Sequence, residues 1–464
     1  MTRLKIFFCF ILLCIFFMGS PAFSAVSNDE LLGRLNQLSI VIQKQQQEID
    51  RLRQELEKQK QSIIDSKEAG QKEVRKAVRA EVGQIEKKWN SWIPKWAQKI
   101  KVSGDLRLRY EGIYGREQRQ ADLTTRDIPT RDRYRIRARL FFDGKVTDEI
   151  STHFMICTNQ DGNLEATTTN QTFNSDFNDK GVYLHRAYAM YRPKRFNGLE
   201  LTAGKFKNTF VHTDIMWDPD VNPEGIYERY QYEGWKEFRP FIHLGQMAVH
   251  EINDETDDPA LYINQAGFDW KIGNVTWTLA GSYYDWANLH NTRYLRFGRY
   301  KGGGGNTFML DPADPTKLQY SYDYDLWEAI SFVKFKLGPV PAKLMFDYIV
   351  NSAEKVPGNQ DTAFFAGFKL GKEKKKGDWS LFYKYARIEK DALIGSMNDQ
   401  DFYGANRKGH KVMFRYMLFD RLRFGTSFFY TDPITPWDPA SLNFANERSR
   451  EHENRLQGEF VFKF

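Results

Sequence analysis

The feature that most constrains this chain is a two-residue alternation of apolar and polar side chains from Ile100 to Phe464. A period of two places apolar side chains on one face of a β-strand and polar side chains on the other. Most alternating runs have about 9–12 residues, the length that a tilted strand needs to cross a bilayer. Sixteen runs lie at residues 100–114, 131–142, 147–158, 181–192, 199–207, 225–232, 239–250, 261–272, 274–285, 324–337, 340–351, 362–371, 378–388, 409–419, 422–430 and 456–464.

The connections between these runs alternate between long and short. Short connections contain turn-forming residues, for example Gly273-Asn274, Gly338-Pro339 and Asp420-Arg421. Long loops on one side and tight turns on the other are typical of barrels in bacterial outer membranes. The long connections lie at residues 115–130, 159–180, 208–224, 251–260, 286–323, 352–361, 389–408 and 431–455.

Composition excludes two other fold classes. After the N-terminal segment, no apolar run approaches the roughly 20 residues that a transmembrane helix needs. Aromatic residues make up 15% of the chain, which is more than an intrinsically disordered chain contains. We therefore predict an all-β transmembrane antiparallel barrel of about sixteen strands over residues 100–464. The count becomes fourteen or eighteen if a weak run such as 225–232 is misread.

Residues 1–25 have the pattern of a secretory signal peptide. Arg3 and Lys5 precede an apolar run from Ile6 to Met18, and small residues follow. The alternative is an uncleaved anchor. Cleavage would leave Cys157 as the one remaining cysteine, so we expect no disulfide framework.

Residues 29–88 contain a heptad repeat without proline. Apolar residues that recur every seven positions, with partners three or four positions away, predict a coiled coil. The repeating positions are Leu35, Ile42, Ile49, Leu56 and Ile63. The alternative is one amphipathic helix packed on the protein. Residues 89–99 contain three tryptophans, lysines and Pro94, and we predict a linker at the membrane–water interface, or a packed linker.

Five arginines share one face of the run 131–142. Facing lipid at the middle of the bilayer, each would cost about 2–4 kcal/mol, so this face is expected to border a watery lumen. Two arginines of the run 100–114 have the corresponding parity. The predicted pore-lining residues are Arg107, Arg109, Arg131, Arg133, Arg135, Arg137 and Arg139. The alternative is a solvated, salt-bridged face without a role in transport.

Two stretches resemble a bacterial "putative porin" family of Gram-negative outer-membrane barrels. They are Leu184-His185-Arg186-Ala187-Tyr188-Ala189-Met190-Tyr191-Arg192-Pro193 and the segment 204–225, which contains Trp217-Asp218-Pro219-Asp220-Val221-Asn222-Pro223. The final strand ends in Phe464, which resembles the membrane-assembly signal of such barrels. The resemblance covers roughly residues 90–464. It implies a barrel that passes small solutes, but it names no substrate and fixes no role for the coiled coil.

In porins of known architecture the third long loop folds inward and narrows the pore. If the third long loop of this chain also folds inward, its acidic residues face the predicted pore-lining arginines, and we expect a mild preference for anions. The predicted constriction residues are Asp214, Asp218, Asp220 and Glu224. The alternative is a rigid cap built by the loop's prolines.

Three functions compete at this stage. The first is an outer-membrane porin for passive diffusion of small hydrophilic solutes or ions, and the second is a tether whose periplasmic coiled coil contacts peptidoglycan or another envelope protein. The third, a barrel enzyme such as a lipase, lacks a recognisable Ser–His pair. We expect contact with outer-membrane lipid, homo-oligomerisation (a trimer by analogy) through the coiled coil, no nucleic acid and no cofactor. We predict no metal site. The acidic loop 251–260 could hold Ca²⁺ through oxygen ligands, but an ordinary solvated loop is the favoured interpretation.

Overall fold

The computed structural model describes residues 97–464 with gaps, and seven isolated positions before them. The described ranges are 97–119, 122, 124–159, 165–174, 176–251, 253, 257–289, 303–312, 318–402, 404–436 and 452–464. The chain divides into two compact units, Met1–Pro94 and Lys95–Phe464. Positions 44, 48, 51, 52, 55, 81 and 82 are α-helical. The predicted signal peptide lies outside the described residues, as does nearly all of the predicted coiled coil, so both remain predictions. No helix among the described residues is long and apolar enough to cross a membrane.

Sixteen strands form the wall of the second unit. They are β1 (Ile100–Tyr114), β2 (Arg131–Lys145), β3 (Ile150–Thr158), β4 (Val182–Tyr191), β5 (Leu199–Lys205), β6 (Glu224–Gln231), β7 (Phe238–Ala248), β8 (Ala260–Ile272), β9 (Val275–Ala287), β10 (Asp325–Leu337), β11 (Val340–Asn351), β12 (Thr362–Gly371), β13 (Trp379–Ile388), β14 (Arg407–Phe419), β15 (Leu422–Pro433) and β16 (Glu453–Lys463). Short strands outside the wall are Arg116–Arg119, Thr125–Ile128, Gln171–Thr172, Phe308–Leu310 and Leu318–Tyr320.

The wall closes on itself because β1 pairs with both β2 and β16. Every other wall strand pairs antiparallel with its neighbours along the chain, and the two-residue strand Gln171–Thr172 adds to the sheet by pairing with β2. Closure leaves no edge of unpaired N–H and C=O groups, which a bilayer could not satisfy. The predicted sixteen-stranded antiparallel barrel is confirmed.

The strands are joined by tight turns at one end of the barrel and long loops at the other. Two of the turns have Gly273 and Gly338 at φ 58° and 59°, a left-handed conformation that glycine adopts without a Cβ clash. The third strand begins at Ile150, three residues later than its alternation suggests, because the Thr147 hydroxyl accepts hydrogen bonds from the N–H groups of Glu149 (3.2 Å) and Ile150 (3.0 Å). These bonds make residues 146–149 a turn.

The two faces of the wall differ as the alternation predicts. Large apolar side chains such as Trp327, Leu344 and Phe346 are 46–59% exposed on the outer face. On the inner face, Lys384 and Asp347 are fully buried. An apolar exterior and a polar, partly filled interior are the arrangement of a membrane-spanning barrel.

Three long loops fold into the interior and pack against one part of the wall. Their described residues are 206–223, then 288–289, 303–312 and 318–324, and then 389–402 and 404–406, and their buried apolar side chains join one cluster with inward residues of the strands. The loop members are Phe206, Phe210, Ile215, Met216, Trp217, Val221, Leu289, Phe308, Tyr320, Tyr324, Ala392, Leu393, Ile394, Met397, Phe402 and Ala405. The interior is therefore narrowed by loops that have a hydrophobic core of their own.

Candidate pore constriction

The predicted pore-lining arginines occupy one face of two adjacent strands. The β1–β2 register places Arg107 opposite Arg137 and Arg109 opposite Arg135. These four side chains are at most 9% exposed and point into the barrel. We use the term basic wall for Arg107, Arg109, Arg131, Arg133, Arg135, Arg137 and Arg139.

Two carboxylates of β1, Asp105 and Glu111, flank Arg107 and Arg109 on the inward face. Asp105 accepts hydrogen bonds from Arg137 (2.8 Å) and Arg139 (2.6 Å), one guanidinium on each carboxylate oxygen. Glu111 accepts a hydrogen bond of 2.6 Å from Nε of Arg133 and lies 3.7 Å from Arg135. Such charge-assisted pairs are strong and directional, so they hold the guanidinium groups in fixed positions.

The last strand, β16, also contributes to this network. Its register with β1 sets Glu459 opposite Arg109. Glu459 forms ion pairs with Arg109 (2.7 Å) and Arg107 (3.6 Å), and with Arg423 of β15 (3.0 Å). The charged face therefore extends over four consecutive strands around the closure point of the barrel.

Asp214 of the third long loop is fastened to the wall on β13 and β14. Its carboxylate accepts hydrogen bonds from Lys384 (2.8 Å) and Lys411 (3.3 Å). The same two ammonium groups bind Asp399 of the loop 389–406, at 3.4 and 2.6 Å. We call these four residues the loop clamp. Burial would raise the pKa of Asp214, but Lys384 and Lys411 hold it well below its usual range.

Asp218 and Asp220 lie in the same loop and have opposite environments. Asp220 lies 3.9 Å from Arg139 and accepts a hydrogen bond from the Thr169 backbone N–H at 3.2 Å. Burial would raise the pKa of Asp220, but Arg137, Arg107 and Arg139 lower it. Burial and then the negative charge of Asp220 raise the pKa of Asp218 well above its usual range. Asp220 therefore carries the negative charge that faces the basic wall.

Glu224, the fourth residue predicted for the constriction, lies elsewhere. It is the first residue of β6, where it forms an ion pair with Lys205 of β5, and its side chain is 60% exposed. It shares the outward parity of Ile226, which is 49% exposed. Glu224 is thus not brought together with the three aspartates.

Sequence reasoning missed one acidic residue at the constriction. Asp401, in the loop 389–406, forms ion pairs with Arg109 (3.5 Å) and with Arg455 of β16, and it accepts a hydrogen bond from Gln457 at 2.9 Å. Burial would raise the pKa of Asp401, but Arg455 and Arg109 lower it far below its usual range. The parity of β16 could have identified Arg455 as inward-facing, whereas no periodicity marks a residue in a long loop.

A closed sixteen-stranded barrel with a charged interior and inward-folded loops is the architecture of an outer-membrane porin. The chain belongs to the family described as "Putative porin", whose model matches residues 43–301 and 317–444. The predicted family is thereby confirmed. The match begins inside the predicted coiled coil, so part of that segment belongs to the family pattern.

Several solved structures are similar to this chain at low sequence identity. OprB of Pseudomonas putida, at high pH, is 11% identical, with 79% of this chain and 95% of that chain covered and a TM-score of 0.50. The loop L8 deletion mutant of OmpT from Vibrio cholerae is 11% identical, with 79% and 99% covered and a TM-score of 0.45. OmpF of Salmonella typhi, in complex with daunomycin, is 10% identical, with 79% and 97% covered and a TM-score of 0.45. No curated protein matches the sequence.

Proposed function

We propose that this porin is a passive diffusion channel for small hydrophilic solutes, with a mild preference for anions. The observation that carries the proposal is the basic wall, which faces the interior opposite loops that fold inward. A watery lumen lined by fixed charges of one sign raises the local concentration of counter-ions and repels co-ions.

The charge balance around the basic wall supports a mild preference rather than a strong one. Nine arginines on β1, β2, β15 and β16 face the interior, and seven carboxylates among the described residues form ion pairs with members of this set. The arginines are the basic wall together with Arg423 and Arg455, and the carboxylates are Asp105, Glu111, Asp220, Glu373, Asp401, Glu453 and Glu459. The arginines outnumber these carboxylates, and Glu373 also binds Lys369 and Arg415, so positive charge is in excess. Most of the field is cancelled locally, and what remains favours anions.

The test is the ionic selectivity of the purified full-length protein in a planar lipid bilayer. With a KCl gradient across the membrane, we expect a zero-current potential whose sign shows chloride to be more permeant than potassium. A clear preference for potassium would contradict the proposal. Absence of any conductance from correctly folded protein would contradict the channel itself.

The N-terminal segment enters the proposal as a coiled coil in the periplasm that associates copies of the chain, with a trimer as the expected state. The heptad repeat supports self-association, and the family match from residue 43 includes part of it. Particle size in detergent, with and without residues 29–88, tests this step. An unchanged size after deletion would contradict it.

A second candidate is a structural tether in which the same coiled coil contacts peptidoglycan or another envelope protein. It is favoured by the length of the predicted rod, about 1.5 Å per residue over residues 29–88. Deletion of that segment separates the two roles. A channel alone keeps its conductance without the rod, whereas a tether produces envelope defects when the rod is lost.

A further inference from the structure

Three lysines face one another at the turn end of the barrel interior. The register sets Lys334 of β10 opposite Lys343 of β11, and Lys343 opposite Lys369 of β12. They share the inward parity of the fully buried Ile330 and Asp347 on β10 and β11. Like charges directly opposite on neighbouring strands destabilise a sheet, so two such pairs in succession need an explanation. We call these three residues the lysine row.

The lysine row borders a pocket with a volume of about 500 Å³. Six cationic side chains and one carboxylate line this pocket. The cations are the lysine row together with Lys372, Lys374 and Arg415, and the carboxylate is Glu373. The pocket is therefore far more one-sided in charge than the basic wall, where carboxylates nearly match the arginines.

The single carboxylate of the pocket is already engaged. Glu373 binds Lys369 (3.0 Å) and Arg423 (3.1 Å), and it accepts a hydrogen bond of 2.5 Å from Ser380. Burial would raise its pKa, but Arg415, Ser380 and Lys369 lower the pKa of Glu373 to about 2. Glu373 thus stays ionised, and its oxygens are directed to Lys369 and to arginines.

The other two members of the lysine row, Lys334 and Lys343, have no acidic partner in the part of the chain that the structure describes. No carboxylate among the described residues lies within ion-pair distance of Lys334 or Lys343. The ammonium group of Lys343 instead lies 3.5 Å from the ring centroid of Phe332, a cation–π contact that leaves its N–H groups available to a ligand.

We propose that the lysine row and Arg415 form a binding site for small oxyanions with two or more negative charges, such as solutes that carry a phosphate group. Two ammonium groups without a carboxylate, an arginine and a pocket of this size match the charge and hydrogen-bond acceptors of such an anion. The turn end of an outer-membrane barrel faces the periplasm. The site would therefore collect phosphorylated solutes at the inner mouth of the lumen. It rests on the proposed channel, because the solute must reach the lumen, but not on the channel's anion preference.

Pyrophosphate is the probe, and the current through single channels of the full-length protein is the readout. In about 0.1 M KCl, where screening is moderate, pyrophosphate is added first to one side of the bilayer and then to the other. We expect a saturable reduction of the current, at lower concentration from the turn side. In the variant Lys334→Gln/Lys343→Gln/Lys369→Gln we expect the half-blocking concentration to rise about tenfold or more, as for the loss of charge-assisted bonds.

Lys336→Gln is the matched control. Lys336 lies on the same strand and face as Lys334, two residues nearer the turn, and it does not line the pocket. Its half-blocking concentration should stay within about twofold of the original, because one positive charge is lost outside the pocket and the pocket itself is intact. If the triple variant does not fold, Lys343→Gln alone should still raise this concentration more than Lys336→Gln does.

Two results would overturn the site. One is an unchanged half-blocking concentration in a folded triple variant, and the other is an equal effect of Lys336→Gln. The zero-current potential in KCl without pyrophosphate reports separately on the proposed selectivity. A channel without anion preference but with lysine-dependent block would refute that selectivity and retain the site. An anion-preferring channel that pyrophosphate does not block would retain the proposed selectivity and refute the site.

Discussion

The two sides of the barrel interior differ in the chemistry of their inward side chains. Around the closure point, on β15, β16, β1 and β2, inward side chains are mainly charged and form ion pairs with one another. On β7 to β12 the inward side chains include Phe241, Ile263, Ile330, Ile349 and Phe365, all buried against loops or against each other. One side offers fixed charge to a watery lumen, whereas the other offers apolar surface to protein.

This difference explains where the third loop is held. Apolar burial stabilises by roughly 25 cal/mol per Å², so a loop with six buried apolar side chains is most stable on the apolar side. Polar contacts then set its position. The amide of Gln265 forms hydrogen bonds of 2.8 and 2.7 Å with the backbone N–H and C=O of Val211, and the Thr213 hydroxyl donates to Asp347 at 2.5 Å. Asp220 is left on the face toward the basic wall.

The largest expected effect comes from removing a buried apolar side chain of the third loop. Trp217 is 1% exposed, with its ring centroid 6.5 Å from that of Tyr284. Replacement Trp217→Ala should cost about 3–5 kcal/mol of packing, detach the third loop and raise the single-channel conductance. Trp235→Ala, in a turn where the ring is 55% exposed, is the control and should leave conductance unchanged. An unaltered conductance in a folded Trp217→Ala barrel would show that the loop does not narrow the pore.

The next effect comes from the loop clamp, which holds the third loop and the loop 389–406 on β13 and β14. Lys384 is fully buried and bound to Asp214 and Asp399. Lys384→Gln leaves buried carboxylates with only Lys411, at a cost on the order of 3 kcal/mol. We expect more frequent current fluctuations and earlier unfolding in urea.

Lys194→Gln tests the same chemistry at the surface. Lys194 pairs with Asp148 at 3.0 Å, but both side chains are more than 60% exposed. An exposed pair contributes about 0–1 kcal/mol, so this variant should resemble the original protein. If Lys384→Gln and Lys194→Gln destabilise the protein equally, the buried pairs of the loop clamp contribute no more to stability than an exposed pair.

A smaller effect is expected from altering the basic wall itself. The double change Arg107→Gln/Arg137→Gln removes two facing guanidinium groups and reduces the excess of positive charge. The anion-to-cation permeability ratio should fall, by roughly half if the preference is mild. Arg195→Gln, in an exposed turn, is the control. A ratio that does not change would favour the alternative in which the basic wall is a salt-bridged face without a role in transport.

The charged side was predictable from sequence, and the apolar side was not. Parity along a strand is a local property, so the orientation of Arg131 to Arg139 could be inferred from a dozen residues. The same rule set β1, β11 and β12 at the bounds that the structure has. Strand ends were less certain, as for Glu224, because a terminal residue can continue the ladder or begin a loop with little difference in pattern.

The loop contacts depend on pairs that are far apart in sequence. Asp214 meets Lys384 and Lys411 across the interior, and Asp218 donates its backbone N–H to the Met397 carbonyl at 2.8 Å. No periodicity relates such positions, since each depends on where the whole barrel brings the loop ends. The lysine row was partly predictable from the sequence. Its parity could be read from each strand, but its alignment required the register of three strands.

The smallest expected effect is a pH dependence that distinguishes the two acidic environments of the third loop. The lowered pKa of Asp214 means that its contribution is present above the ordinary value of 3.8 and is lost only in stronger acid. The raised pKa of Asp218 has the opposite effect on how stability changes with pH. Its contribution is present below 3.8 and is lost as the pH rises through the raised value, because an ionised Asp218 repels Asp220.

The loop should therefore be held most firmly near the ordinary value of 3.8, and current fluctuations should increase as the pH rises from there through the raised pKa of Asp218. Each unit by which the pKa of Asp218 is raised contributes about 1.4 kcal/mol to this change. Asp218→Asn cannot ionise and should abolish the increase, while Asp214→Asn should increase the fluctuations already at neutral pH. If Asp218→Asn shows the same rise with pH as the original protein, the pH response comes from another group. In that case the apolar contacts hold the third loop, and the charge of Asp220 does not affect how firmly it is held.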